Sequence, residues 1–102
     1  MYAVIRKFNR MRSPEEAARR AEAGLKPILR QSPGFRGYYV VRSGDEMIVS
    51  ISMFDTQDAV QDAHLRAVGW IKDNLSDLAD GDPEVISGEV VISAAAPAEV
   101  AA

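Results

Sequence analysis

The chain has 102 residues, and among them there is no cysteine, one histidine and one tryptophan. Without cysteine it forms no disulfide bond and has no thiolate for catalysis or metal binding. A single histidine cannot supply the several ligands of a typical zinc site, so we expect no metal. The chain also lacks the roughly 20 consecutive apolar residues of a membrane span and the apolar core of a signal peptide. We therefore expect a cytoplasmic protein without membrane contact.

Charge is unevenly distributed along the chain, although the formal net charge is only −3. Residues 1–42 carry ten Lys and Arg against three Asp and Glu, whereas residues 43–102 carry two against twelve. In a compact fold the two halves lie side by side, so much of this polarity cancels. Surfaces that bind single-stranded nucleic acid combine a basic groove with interleaved aromatic residues, and the sequence shows no such pattern. We expect no nucleic-acid partner.

Four segments have the apolar, β-branched composition of strands: residues 2–8, 35–42, 47–54 and 84–92. Several of them are apolar on both faces, whereas a strand with one solvated face alternates apolar and polar residues. Residues 1–93 have the length of one domain. Residues 94–102 show no amphipathic pattern and contain a proline, so we expect a flexible tail.

Two helices are predicted between these strands. Ser13 and Pro14, followed by Glu16, resemble a capping box with proline at the first helical position. The first helix carries an apolar stripe formed by Ala17, Ala21, Leu25 and Ile28. A second helix is predicted after Asp55, with Asp55 as the capping candidate, and its apolar stripe includes the histidine, His64. Gly81 to Pro83 separate this helix from the last strand.

The order β-α-β-β-α-β with short connections predicts an α+β fold, the ferredoxin-like sandwich. In that fold an antiparallel four-stranded sheet carries both helices on one face. Two helices can cover only this one face, yet the strands are apolar on both. A second chain must then cover the opposite face, so the sequence predicts an obligate homodimer.

Four stretches of sequence resemble the antibiotic biosynthesis monooxygenase-like superfamily. They are PGFRGYY at 33–39, SISMFDT at 50–56, AVGWIKDNL at 67–75 and GEVV at 88–91, and the resemblance covers residues 2–93. It implies a dimeric α/β barrel, in which the sheets of two subunits face each other. The superfamily includes cofactor-independent monooxygenases and haem-degrading enzymes. The haem-degrading branch has an asparagine on its first strand and a tryptophan and a histidine on its second helix. Asn9, His64 and Trp70 depart from that order and spacing, so we expect no haem ligand here.

Four polar side chains interrupt apolar patterns that point inward: Arg6, Ser50, Ser52 and His64. An imidazole there can be a general base, or it can be a neutral core histidine with one hydrogen-bond partner. Arg6 can receive a substrate anion or pair with Glu89 on a neighbouring strand. The two serine hydroxyls can orient a ligand or simply be small. We predict His64 and Arg6 as the catalytic candidates and the serines as ligand contacts.

Two aromatic residues complete the predicted site. Tyr38 and Tyr39 must point to opposite faces of the sheet, and Tyr39 is the ligand-binding candidate. Trp70 lies beside the apolar stripe of the second helix and is the other candidate, although tryptophan at such an edge more often seals a core or a subunit contact. Two functions remain open at this point. One is cofactor-independent oxidation of a small aromatic molecule in a pocket between helix and sheet. The other is a non-catalytic homodimer that binds a small ligand or a partner protein.

Overall fold

The computed structural model describes residues 1–95, which form four strands and two helices. In chain order these are β1 (Tyr2–Phe8), α1 (Pro14–Arg30), β2 (Phe35–Ser43), β3 (Met47–Phe54), α2 (Gln57–Asn74) and β4 (Glu84–Glu89). The strands form one sheet in the order β2-β3-β1-β4, and all neighbours are antiparallel. This architecture confirms the predicted ferredoxin-like fold.

The last strand is shorter than the expected 84–92. Glu89 lies opposite Tyr2, the first residue of β1, and among residues 1–95 β1 is the only strand that pairs with β4. Val90 donates one further hydrogen bond to the carbonyl of Met1. Beyond it β1 offers no backbone partner, and Val91 and Ile92 are exposed. Of the expected flexible tail, residues 96–102 lie outside the described part of the chain.

The start of α1 differs from the expected capping box. Ser13 is the residue before the helix, but its side chain makes no capping hydrogen bond. The Glu16 carboxylate instead accepts hydrogen bonds from Arg19 and Arg20. The buried stripe also ends at Leu29 rather than Ile28, because α1 continues at four-residue spacing from Leu25 through the internal proline.

The second helix begins one residue later than the capping signal suggested. Thr56, and not Asp55, caps α2, and its hydroxyl accepts a hydrogen bond of 3.1 Å from the backbone N–H of Ala59. The helix ends at Asn74, and the loop that follows returns to the start of the chain, where Ala79 bridges to Met11. This return closes the layer between helices and sheet at the end where Met11 lies.

The core lies between the helices and one face of the sheet. Val4, Arg6 and Phe8 of β1 and every second residue of β3 are buried there. The other face of the sheet, called here the open face, carries no helix among residues 1–95. Its side chains are mostly apolar and include Ala3, Ile5, Tyr39, Val41, Met47, Val49, Ile51, Met53 and Ile86.

The described residues contain neither a membrane-spanning helix nor a cluster of metal-binding side chains. Neither helix within residues 1–95 is both long and apolar enough to cross a membrane. The same part of the chain contains no group of three or more His, Cys, Asp or Glu side chains close enough to hold a metal ion.

Candidate functional site

A buried arginine lies at the centre of the layer between helices and sheet. Arg6 stands in the middle of β1, opposite Ser50 on β3 and Val85 on β4. Its side chain shares the helix-facing side of the strand with Val4 and Phe8, and the residue is 0% exposed. A cation in such a position needs compensation, because transfer of a charge from water into a protein interior costs several kcal/mol.

The hydrogen bonds of Arg6 satisfy only part of its guanidinium group. Nε donates to Nδ1 of His64 at 3.2 Å, and Nη1 donates to Oγ of Ser50 at 3.4 Å. Nη2 is buried and has no hydrogen-bond partner among residues 1–95. The interpretation of Arg6 as the partner of Glu89 is wrong. The strand register places Glu89 opposite Tyr2, four residues from Arg6 along β1, and Glu89 is exposed.

His64 is held as a neutral ring by this arrangement. Burial, and then the charge of Arg6, lower the pKa of His64 below its ordinary value. A guanidinium can only donate, so Nδ1 is the acceptor and the single proton of the neutral ring lies on Nε2. Neither nitrogen then has a free lone pair. In this state His64 orients Arg6 and is not available as the general base that the sequence suggested.

A tyrosine that was not among the predicted site residues lies near Arg6. Burial raises the pKa of Tyr38 to about 12, and the charge of Arg6 acts in the opposite direction. The side chain faces the helices because β2 contains a bulge: Phe35 pairs with Phe54 and Gly37 with Met53, so Arg36 is an extra residue. The bulge shifts the alternation of β2 by one position. Tyr39 therefore lies on the open face, where it is 59% exposed.

Arg6 forms part of the wall of a cleft with a volume of about 260 Å³. The cleft lies between β1, the second half of α2 and the loop that leads to β4. Its apolar walls come from Phe8, Val68, Ile71, Ala79 and Pro83. Lys72, Ser76 and Asp82 add polar groups. The arrangement is a largely apolar space with one buried cation in its wall, as is typical of small-molecule sites.

The two serines occupy different surroundings. Ser50 bonds to Arg6 and lines a second, much smaller cavity of about 30 Å³ beside Tyr38 and Ile71. Ser52 is fully buried opposite Val4, and its Oγ has no partner among residues 1–95. The structure thus brings Arg6, His64 and Ser50 together. Neither His64 nor Ser52 is part of the wall of the 260 Å³ cleft.

Trp70 contacts the first helix and not the cleft. A Cβ atom added to Gly24 of α1 would lie 2.7 Å from the indole Nε1, so the two helices meet with the ring against the glycine backbone. Trp70 also packs against two clusters of buried residues, one that includes Leu25 and Ala67 and one that includes Phe8 and Leu75. This is the position of a residue that seals the contact between α1 and α2.

Several residues of the cleft were not predicted from the sequence. Ile71 stands two helical turns after His64, so helical spacing was a usable signal for it. Ser76, Ala79 and Asp82 belong to a loop, and they reach the cleft only because the loop folds back on Met11. No periodic pattern in the sequence indicates that return.

The fold defines a ferredoxin-like α+β domain whose helices and sheet enclose a largely apolar cleft. The sequence profile of the antibiotic biosynthesis monooxygenase family matches residues 1–70. The chain therefore belongs to that family. Among curated proteins, none has a matching sequence.

Solved structures of similar fold have diverse functions. A protein of unknown function from Nitrosomonas europaea, NE2512, is 18% identical with a TM-score of 0.74, over 95% of this chain and 94% of its own. SnoaB, a cofactor-independent oxygenase from Streptomyces nogalater, is 20% identical with a TM-score of 0.71, over 90% and 94%. A mutant of MhuD with two manganese protoporphyrin IX molecules per active site is 17% identical with a TM-score of 0.71, over 94% and 100%. At these identities the likeness establishes the fold alone.

Proposed function

We propose that this protein is a homodimer that binds a small aromatic molecule in the 260 Å³ cleft and oxidises it with molecular oxygen, without a cofactor. The observation that carries the proposal is the cleft itself, which combines apolar walls with the buried guanidinium of Arg6. Its volume is just below the about 300 Å³ at which small-molecule pockets begin. A ligand of one or two rings matches that size.

The chemistry needs no group beyond the substrate and oxygen. When an aromatic CH₂ group next to a carbonyl is converted to a second carbonyl, it gives up four electrons. These electrons reduce O₂, so that one oxygen atom enters the product and the other leaves as water. Transfer of one proton from the CH₂ group to solvent must come first and produces an enolate, and both CH₂ hydrogens are accounted for by the water that O₂ forms. A fixed cation in a site that excludes water stabilises that charge, which is the role proposed for Arg6.

Support for the dimer comes from the open face of the sheet. Tyr39 is 59% exposed, Val41 is 49% exposed and Ile86 is 67% exposed, and all three lie on that face. Apolar patches of this kind on a soluble protein usually mark an interaction surface. A second copy of the chain offers an equivalent apolar surface, so a two-fold contact between the two sheets would cover both at once.

Oxygen uptake with 2-tetralone tests the proposal. This two-ring compound has an acidic CH₂ between its aromatic ring and its carbonyl. We expect protein-dependent O₂ consumption with one diketone formed for each O₂, unchanged by chelators or by added flavin. Arg6→Met should abolish the uptake. Arg36→Met, which changes an exposed arginine paired with Asp55, should leave it intact.

The alternative function is a non-catalytic homodimer that binds a small ligand. One observation favours it: the only imidazole of the chain is bonded to Arg6 and does not line the cleft. The same experiment distinguishes the two functions. If 2-tetralone binds but oxygen uptake stays at the rate of the protein-free blank, the protein is a binder and not an oxygenase.

A further inference from the structure

We propose that the cavity of about 30 Å³ binds dioxygen and holds it behind the wall of the 260 Å³ cleft. The ligand class is a small apolar gas. For the use of that gas the proposal rests on the proposed function, because oxidation of an aromatic ligand consumes O₂ as the second substrate. The two substrates then bind at different places, the aromatic molecule in the cleft and oxygen in the smaller cavity.

The walls of the small cavity are apolar and come from both helices and the sheet. Among the described residues, all that line it have apolar side chains except Tyr38 and Ser50. Three of the apolar ones, Met11, Ala17 and Leu25, are at most 3% exposed. The cavity is therefore a space within the hydrophobic core, formed by packed side chains of the folded protein.

Water is a poor occupant of this cavity. A buried water molecule needs about 10–15 Å³ and two to four polar partners. The volume is sufficient, but the partners are few, because Oγ of Ser50 already accepts a hydrogen bond of 3.4 Å from Nη1 of Arg6. Apolar cavities stay dry and take up apolar guests such as xenon. A volume of about 30 Å³ fits a diatomic gas and is too small for an aromatic ring.

The position of the cavity connects it with the cleft and with the protein surface. Phe8 and Ile71 line both the cavity and the 260 Å³ cleft, so the two spaces share a wall. Another part of the cavity wall, formed by Tyr38, Val40 and Ile48, also lines a groove of about 340 Å³ between α1 and β2. Val40 is 36% exposed, so this groove reaches solvent. Oxygen can enter from this side while an aromatic ligand fills the cleft.

The chemistry explains why oxygen needs a place of its own. O₂ has no charge, so the guanidinium of Arg6 stabilises the enolate but offers no binding energy to the gas. An apolar cavity next to the cleft raises the local concentration of O₂ where the enolate forms. The cavity takes no part in making or breaking bonds, and the four-electron oxidation is the one described above.

Relaxation measurements under oxygen pressure test the binding directly in the wild-type protein. Dissolved O₂ is paramagnetic, so it accelerates the NMR relaxation of methyl groups close to the place where it binds. We expect a several-fold larger effect on the methyl groups of Ala17 and Leu25 than on Ala63. The Ala63 methyl is equally buried but lies outside the cavity wall. Equal effects would overturn the proposal and leave the proposed function in place, because oxygen would then reach the ligand from solvent.

Xenon distinguishes the small cavity from the cleft. Under anaerobic conditions we expect xenon to shift the methyl resonances of Ala17 and Leu25. The shifts should persist when 2-tetralone saturates the cleft. Loss of the shifts on addition of 2-tetralone would mean that the gas binds in the cleft itself, and it would overturn the proposal.

A cavity-filling variant connects gas binding with the reaction. Ala17→Val adds two methyl groups at the cavity wall and should raise KM for O₂ several-fold in the 2-tetralone assay, with KM for 2-tetralone unchanged. Ala63→Val makes the same change at a buried position outside the wall and should alter neither constant. An unchanged KM for O₂ in Ala17→Val would overturn the proposal.

The wild-type measurements decide the proposal even if Ala17→Val does not fold. Localised relaxation by O₂ without oxygen uptake in the 2-tetralone assay would support the gas site and reject the oxygenase. Uptake without localised relaxation would support the oxygenase and overturn the gas site.

Discussion

At the scale of single residues, the contact between Gly24 and Trp70 determines how closely the two helices approach. The indole Nε1 lies 2.7 Å from the position of an added Cβ, which leaves no room for a methyl group. Gly24→Ala should therefore destabilise the fold, by about 1–3 kcal/mol as in other overpacked cores. Chemical denaturation followed by tryptophan fluorescence measures this change.

Gly69 supplies the matched control. It lies within α2, and no atom is found within 4 Å of its added Cβ. Gly69→Ala should stabilise the protein by about 0.5–1 kcal/mol, because alanine is the better helix former. Equal effects of the two substitutions would contradict the proposed tight contact between the helices.

Tyr38 predicts a loss of stability at alkaline pH. Burial raises the pKa of Tyr38 from its ordinary value of 10.0 to about 12 in the folded protein. The folded state thus favours the protonated phenol, so its contribution is complete below about pH 10 and is lost as the pH rises through 12. Denaturation midpoints measured across this interval should fall more steeply for the wild type than for Tyr38→Phe. Parallel curves would show that Tyr38 is not the group responsible.

Tight haem binding is not expected, because the Nδ1 atom of His64 accepts a hydrogen bond from Arg6 and the ring does not line the cleft. Titration with haem should give no Soret shift that depends on the histidine. A shift that disappears in His64→Ala would contradict this prediction and would make the haem-binding relatives the better guide to function.

At the scale of elements, the two helices begin in different ways. The hydroxyl of Thr56 caps α2, whereas the side chain of Ser13 makes no capping bond to α1. Thr56→Ala should cost about 1 kcal/mol of stability, while Ser13→Ala should have little effect. Urea denaturation of the two variants measures both. A larger loss in Ser13→Ala would mean that the serine caps α1 in solution.

Sequence patterns were sufficient for most elements because burial follows their periodicity. Ala17, Ala21 and Leu25 stand at helical spacing in the sequence, and they form the buried face of α1. Capping was less predictable, because two acceptors stood next to each other at Asp55 and Thr56. Only the backbone conformation at Thr56, with φ −129° and ψ 159°, directs its hydroxyl to the N–H of Ala59.

At the scale of the whole molecule, the open face makes the dimer testable. Tyr39→Asp places a charge on this face at a position already 59% exposed, so the fold of one subunit should tolerate it. In a sheet-to-sheet dimer the charge would be buried without a partner, and we expect dissociation to monomers in sedimentation velocity. Leu65→Asp, at an exposed position on α2, is the control that should remain dimeric. A wild-type protein that is monomeric at micromolar concentration would contradict the proposed dimer.

The sequence by itself determined the order of the elements, the covered face of the sheet and the inward direction of Arg6 and His64. These features depend on local periodicity, which each segment carries independently of the rest. It also identified the residues that interrupt the apolar pattern, and Arg6, His64 and Ser50 do meet in the structure.

The tertiary structure alone decided which groups share a site. The bulge at Arg36 decided that Tyr38 faces the helices and Tyr39 the open face, and the strand register separated Arg6 from Glu89. The returning loop after α2 closed the cleft. Each of these depends on pairing between segments distant in the chain, where a shift of one residue turns a side chain to the opposite face. A pattern read along one segment contains no information about that register.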